Sequence, residues 1–129
     1  MLANSKAYSG FAVDDVARAK RFYTETLGLR VSDLDAQNGL FELHVGGDRP
    51  ILVYQKPDFT PATYTILNFP VDDIDKIVDE LTARGVSFEK YEGFGQDEKG
   101  IARDQGPSIA WFRDSAGNIM SVIEETPAS

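Results

Sequence analysis

Phe11-Ala-Val-Asp-Asp-Val16, followed by Phe22-Tyr23 and Leu27-Gly28-Leu29, is the stretch whose reading decides the fold. Its first part returns as Phe69-Pro-Val-Asp-Asp-Ile74, shifted by 58 residues, and Leu27-Gly28-Leu29 has a looser echo in Arg84-Gly85-Val86. A unit written twice dictates a doubled architecture. Each copy carries the same local physics. A short apolar strand runs into paired aspartates, which cap a helix and place negative charge at its positive end. Apolar residues then recur at helical spacing: Val16, Ala19, Tyr23 and Leu27 in the first copy, Ile74, Ile77, Val78 and Leu81 in the second. Gly28 and Gly85 end the two helices, since glycine accepts the left-handed conformation.

Working outward, residues 7–13 read as the first strand and Leu29–Leu34 as the strand after the helix, with a turn at Ala36–Gly39. Leu40–Val45 and Ile51–Gln55 form a hairpin around Gly46-Gly47-Asp48-Arg49. The second copy opens with a strand over Thr63–Val71. Val86–Tyr91 is expected to be a strand, and Ile109–Arg113 and Ile119–Glu124 a closing hairpin around Asp114–Asn118. Each half is thus strand, helix, strand, strand, strand. The expectation is a single α+β domain, residues 1–129, of two tandem βαβββ modules: module 1 at about 7–56, a proline-marked linker at 57–62, and module 2 at about 63–125. Helices would cover one side, and curved mixed or antiparallel sheets would enclose a cavity on the other. The polar loop Gly93–Pro107 is long enough for a lid or binding loop. The tail Thr126–Ser129 is expected to be loose.

The bulk composition narrows the functional classes. The chain has 129 residues, 42% of them hydrophobic, enough for a core without staples. Its net charge of −8 disfavours phosphate backbones and anionic membrane surfaces, so neither nucleic acid nor membrane is an expected partner. With no cysteine, disulfides, thiol nucleophiles and thiolate metal sites are excluded together. The first residues lack an apolar signal core and no run approaches a membrane span, so a cytoplasmic protein is expected.

Three stretches resemble the glyoxalase/bleomycin-resistance/dioxygenase superfamily, the vicinal oxygen chelate fold. They are Phe11-x-Val-x-Asp15-Val16-x-x-Ala19-x-x-Phe22-Tyr23 running to Leu27-Gly28-Leu29, Val71-Asp72-Asp73-Ile74 leading to Gly85-Val86, and Phe112-Arg-Asp114-Ser-Ala-Gly117-Asn118. The resemblance spans roughly residues 7–125. It implies a cavity-bearing fold that is commonly a homodimer, and a function among lyases, epimerases, dioxygenases and metal-free drug-binding proteins. It places the four metal-ligand positions of metal-using members at Tyr8, Val53, Ile66 and Ser121. Valine and isoleucine cannot coordinate a cation, and the chain has one histidine in all. No cofactor is expected, and a divalent metal is not.

If those four positions face the cavity, strand alternation adds their neighbours two residues away. Symmetric hairpins would set His44 opposite Ile51, Glu42 opposite Val53, Phe112 opposite Ile119 and Ala110 opposite Ser121. Trp111 would then point to the helices. The expected ligand-binding wall is Tyr8, Glu42, His44, Val53, Gln55, Tyr64, Ile66, Asn68, Phe112 and Ser121: apolar with a few polar points, as small-molecule pockets are. His44 and Glu42 are the candidate catalytic residues, an imidazole and a carboxylate about 7 Å apart along one strand. A one-residue slip would turn them to the other face. The acidic run Asp72, Asp73, Asp75, Asp79 and Glu80 reads as capping plus a solvated helix face.

Two functions compete. One is metal-free binding of a small, partly apolar molecule. The other is a superfamily enzyme, a lyase, isomerase or dioxygenase, with an atypical or acid–base site.

Overall fold

A computed structural model describes residues 1–47, 49–104 and 106–125. Asp48 of the expected turn, Gln105 of the long loop and the tail 126–129 lie outside the described residues. The chain forms two compact units, Met1–Pro61 and Ala62–Ser129.

The first unit contains β1 (Gly10–Val13), α1 (Val16–Arg21), β2 (Arg30–Asp35), β3 (Leu40–His44) and β4 (Ile51–Gln55). Asp15 is the N-cap of α1, its carboxylate accepting from Arg18 N at 3.1 Å. The helix then loosens into a π-helical stretch, Phe22–Thr26, before Gly28 stops it at φ 71°. The sheet order is β1-β4-β3-β2, with β1 parallel to β4 and the other pairs antiparallel. Phe11, Val53 and Phe41 are cross-strand partners and share a face. That face meets the helix: Phe11 lies 6.1 Å from the Tyr23 ring, and Lys20 Nζ 5.8 Å from the Phe41 ring centre. Val13, Tyr23, Phe41, Leu43 and Val53 are fully buried there.

The second unit contains β5 (Thr65–Val71), α2 (Ile74–Ala83), β6 (Ile109–Arg113) and β7 (Ile119–Glu124), with sheet order β5-β7-β6. Asp73 caps α2 by accepting from Lys76 N at 3.1 Å. Ile74, Val78 and Leu81 are buried, each contributing about 1.5–3 kcal/mol. A Glu124 carboxylate oxygen accepts from Ile74 N at 3.0 Å, so the even positions of β7 face the helix. Met120 and Val122 are buried accordingly, with their partners Phe112 and Ala110.

The fold is therefore α+β, with two α-helices and seven strands in two mixed sheets among the described residues. One expected strand is missing. Residues 86–91 join no ladder, and their bond to β6 is Glu89 N to Trp111 O at 2.7 Å. The reason is competition from a side chain: Gln96 takes Tyr91 N–H and the Glu89 carbonyl, groups that a strand would offer to its neighbour.

The hairpin registers also differ from the symmetric expectation. In the first hairpin Leu43 pairs with Ile51 and Glu42 with Leu52, so Glu42 does not face Val53 and His44 does not face Ile51. Pairing Phe41 and Leu43 with Val53 and Ile51 gathers four apolar side chains on the helix side and turns Glu42 and His44 away. In the second, Trp111 pairs with Ser121 and Phe112 with Met120. A five-residue loop sets that register. The Asp114 carboxylate accepts from Ala116 N at 2.9 Å and Asn118 N at 2.8 Å, and Asp114 N donates to Asn118 O.

Candidate functional site

In the first unit the face of the sheet away from α1 carries Arg30, Ser32, Glu42, His44, Leu52 and Tyr54, by cross-strand pairing. Ser32 Oγ and His44 Nε2 form a hydroxyl–imidazole hydrogen bond of 2.7 Å. Glu42 stands beside Ser32 as its cross-strand partner. An imidazole, a hydroxyl and a carboxylate thus share this face, and both candidate catalytic residues are on it.

Val53 and Gln55 are not. Val53 is fully buried on the helix side. Gln55 Oε1 accepts from Val16 N at 3.3 Å, satisfying a donor at the start of α1. Tyr8 precedes β1 and is exposed, with the Arg49 guanidinium 5.0 Å from its ring centre. The expected wall of this unit is therefore divided between two faces.

In the second unit the face away from α2 brings Asn68, Ser121 and Trp111 side by side on three neighbouring strands. Ser121 Oγ donates to Asn68 Oδ1. Ile66 sits at the register shift between Thr65 and Leu67. Phe112, expected in the cavity, is fully buried on the helix side, edge-on to Phe88 at 5.8 Å. Trp111, expected among the helices, takes the opposite face.

That reversal creates a concavity in the unit, a hollow of about 350 Å³ lined by Thr63, Tyr64, Thr65, Tyr91, Phe94, Trp111 and Ile119. Three rings meet in it. Tyr91 and Phe94 lie 5.5 and 5.3 Å from Trp111 and 5.9 Å from each other, all edge-to-face. Tyr64 adds a ring that is 69% exposed. The Tyr91 hydroxyl is buried without a hydrogen-bond partner among the described residues. Burial, with the Glu89 carboxylate nearby, raises its pKa against the opposing Arg113 charge, so it stays protonated at neutral pH.

Of the residues lining this hollow, the expected wall includes Tyr64 and omits Tyr91, Phe94 and Trp111. The available signal was Ala110 and Phe112 alternating with Trp111, which allows the smaller pair to be the core set. The segment 93–104 is pinned to the unit at its second half. Gly100, Ile101 and Ala102 are buried, and Ala102 bridges to both Gln96 and Ile109.

Of the four positions implied by resemblance, Val53 lies in the core and Ser121 bonds Asn68. Among the described residues no group of three or more His, Asp or Glu side chains is placed to hold a cation. Among the described residues no helix is long and apolar enough to cross a membrane.

The sequence model of the Glyoxalase/Bleomycin resistance protein/Dioxygenase superfamily matches residues 7–122. No curated protein matches the chain. Solved structures of similar fold include a glyoxalase family protein from Bacillus anthracis, with TM-score 0.72 and 19% identity over 98% of this chain and 100% of that one. TnmS3, an antibiotic binding protein from Streptomyces sp. CB03234, gives TM-score 0.68 and 22% identity over 95% and 98%. Lactoylglutathione lyase from Agrobacterium tumefaciens gives 0.66 and 21% over 95% of each chain.

Proposed function

From the premise that this chain belongs to the glyoxalase/bleomycin resistance protein/dioxygenase superfamily, we propose that it binds a small, partly apolar molecule without a metal ion. The observation that carries this reading is the aromatic hollow around Trp111. Its size falls within the range of small-molecule sites, and its lining is mostly aromatic with a few hydroxyls. A flat or cationic organic molecule suits such walls. The net charge of −8 raises the local concentration of cations. The donor set described above supports the metal-free form, and TnmS3, a protein of similar fold, is an antibiotic binding protein.

Trp111 is the sole tryptophan, so its fluorescence reports the hollow directly. Titration with a library of flat aromatic amines is expected to quench Trp111 and to raise the melting temperature with ligand concentration. A library that leaves both unchanged refutes the reading.

A second reading, acid–base chemistry at Glu42 and His44, is favoured by one observation, the 2.7 Å bond from Ser32 to His44. It calls for a proton-transfer reaction abolished in both Glu42→Gln and His44→Ala. Full turnover by either variant removes it.

A further inference from the structure

Gln96 lies outside the lining of the hollow, yet its side chain ties together the segment that supplies two of the rings. Its Oε1 accepts from Tyr91 N–H at 2.6 Å, and its Nε2 donates to the carbonyls of Glu89 and Gly100, each at 2.7 Å. One uncharged group thus gathers three points of the chain between residues 89 and 100. Tyr91 is itself one of those points, and Phe94 lies between Tyr91 and Gln96. The far side is fixed to the sheet by Glu89 N to Trp111 O at 2.7 Å and by the bridges from Ala102 to Gln96 and Ile109.

Gly100 makes the clasp sterically feasible. It sits at φ +91°, and a Cβ there would stand 3.0 Å from Phe88 Cβ, so only glycine brings this carbonyl to Gln96 without displacing Phe88.

We propose that Gln96 is the positioning residue of the aromatic hollow, holding Tyr91 and Phe94 against Trp111 before any ligand arrives. The proposal rests on the binding reading given above. The chemistry of the clasp selects a carboxamide: one acceptor meets an N–H while two N–H bonds meet two carbonyls. A glutamate of the same shape sets a carboxylate oxygen against both carbonyls. A leucine leaves all three backbone groups unpaired, and an unpaired buried polar group is costly. A wall ordered in advance spares the ligand the entropy of arranging it.

The test compares Gln96→Glu and Gln96→Leu with Glu98→Gln, an exposed substitution on the same segment. Trp111 emission and near-UV circular dichroism are read without ligand, and far-UV dichroism checks the fold. Both Gln96 variants are expected to shift the Trp111 signals at unchanged far-UV dichroism, and Gln96→Glu to recover in part on acidification, when its carboxyl regains a donor. Glu98→Gln should match the wild type. Binding of the flat aromatic cation thioflavin T, followed by Trp111 quenching, is expected to weaken about tenfold in both Gln96 variants.

Trp111 signals that superimpose on the wild type overturn the proposal. If the dye fails to bind the wild type while the Trp111 signals still shift, Gln96 keeps its role and the binding reading falls. Should the variants not fold, hydrogen exchange in the wild type decides. The Tyr91 amide must exchange far more slowly than that of exposed Glu92, and equal rates sink the clasp.

Discussion

Leu43 stands directly opposite Ile51 across the β3–β4 hairpin, and this one pairing sends Val53 to the core and Glu42 and His44 to the other side of the sheet. The same logic holds in the second unit, where Trp111 faces Ser121 and Phe112 faces Met120. In the first unit the register is the one that buries the more apolar alternate set against the helix.

Neighbouring residues of β4 should therefore respond very differently to the same polar substitution. Val53→Asn puts an amide into a fully buried apolar site and is expected to cost about 3 kcal/mol or more. Leu52→Asn, half-buried on the other face, should cost about 1 kcal/mol or less. Urea denaturation of the two variants checks the register, and equal losses would contradict it.

The Ser32–His44 bond should appear as a coupling energy. A double-mutant cycle of Ser32→Ala and His44→Ala is expected to give about 0.5–1.5 kcal/mol, the net value of a hydrogen bond. Additive losses would show that the contact adds nothing to stability.

Trp111 and Phe112 are adjacent but opposed, so their truncations should separate function from stability. Phe112→Ala opens a cavity in the core and is expected to cost about 3–5 kcal/mol. Trp111→Leu should retain most of the stability and lose thioflavin T binding, read from the dye's own fluorescence. Retained binding would take the ligand site away from the hollow.

Acid should weaken the second unit through Asp75 and Asp97. The Arg103 guanidinium, at 2.7 Å, holds Asp75 below the usual carboxylate range against the opposing effect of burial, with help from Lys99. At Asp97 burial acts upward, but the N–H groups of Ile101 and Lys99 and the Arg103 charge outweigh it. A folded pKa below the unfolded value means that the folded state binds fewer protons. The resulting stability is fully present above the ordinary value of 3.8 and is lost as pH falls through the lower folded values. Urea midpoints measured from pH 6 down to pH 3 should fall less steeply for Asp75→Asn and Asp97→Asn than for the wild type. Parallel curves would show that these carboxylates do not drive the loss.

Most of the element order could be read from the chain. The aspartate caps at Asp15 and Asp73, the stop at Gly28, and strands β3, β4, β6 and β7 lie where spacing and turn chemistry put them. The second-unit strand expected over 86–91 could not be refused on pattern alone. What removes it is Gln96, whose side chain competes for the backbone groups of that segment from outside it. The candidate wall was legible only in part. Tyr64 lines the hollow and Asn68 and Ser121 meet on one face as expected, whereas Val53, Gln55 and Phe112 went to the helix side.

Periodicity, caps and the repeated Val-Asp-Asp unit are local quantities, so the sequence by itself determined the two-unit α+β plan and every strand except the one expected over 86–91. Side-chain facing is a parity: it inverts with a shift of one residue in a hairpin, and no local signal measures such a shift. Packing decides it. Only with Phe41, Leu43, Ala110 and Phe112 laid against their helices do Trp111, Tyr91 and Phe94 come together on the other side.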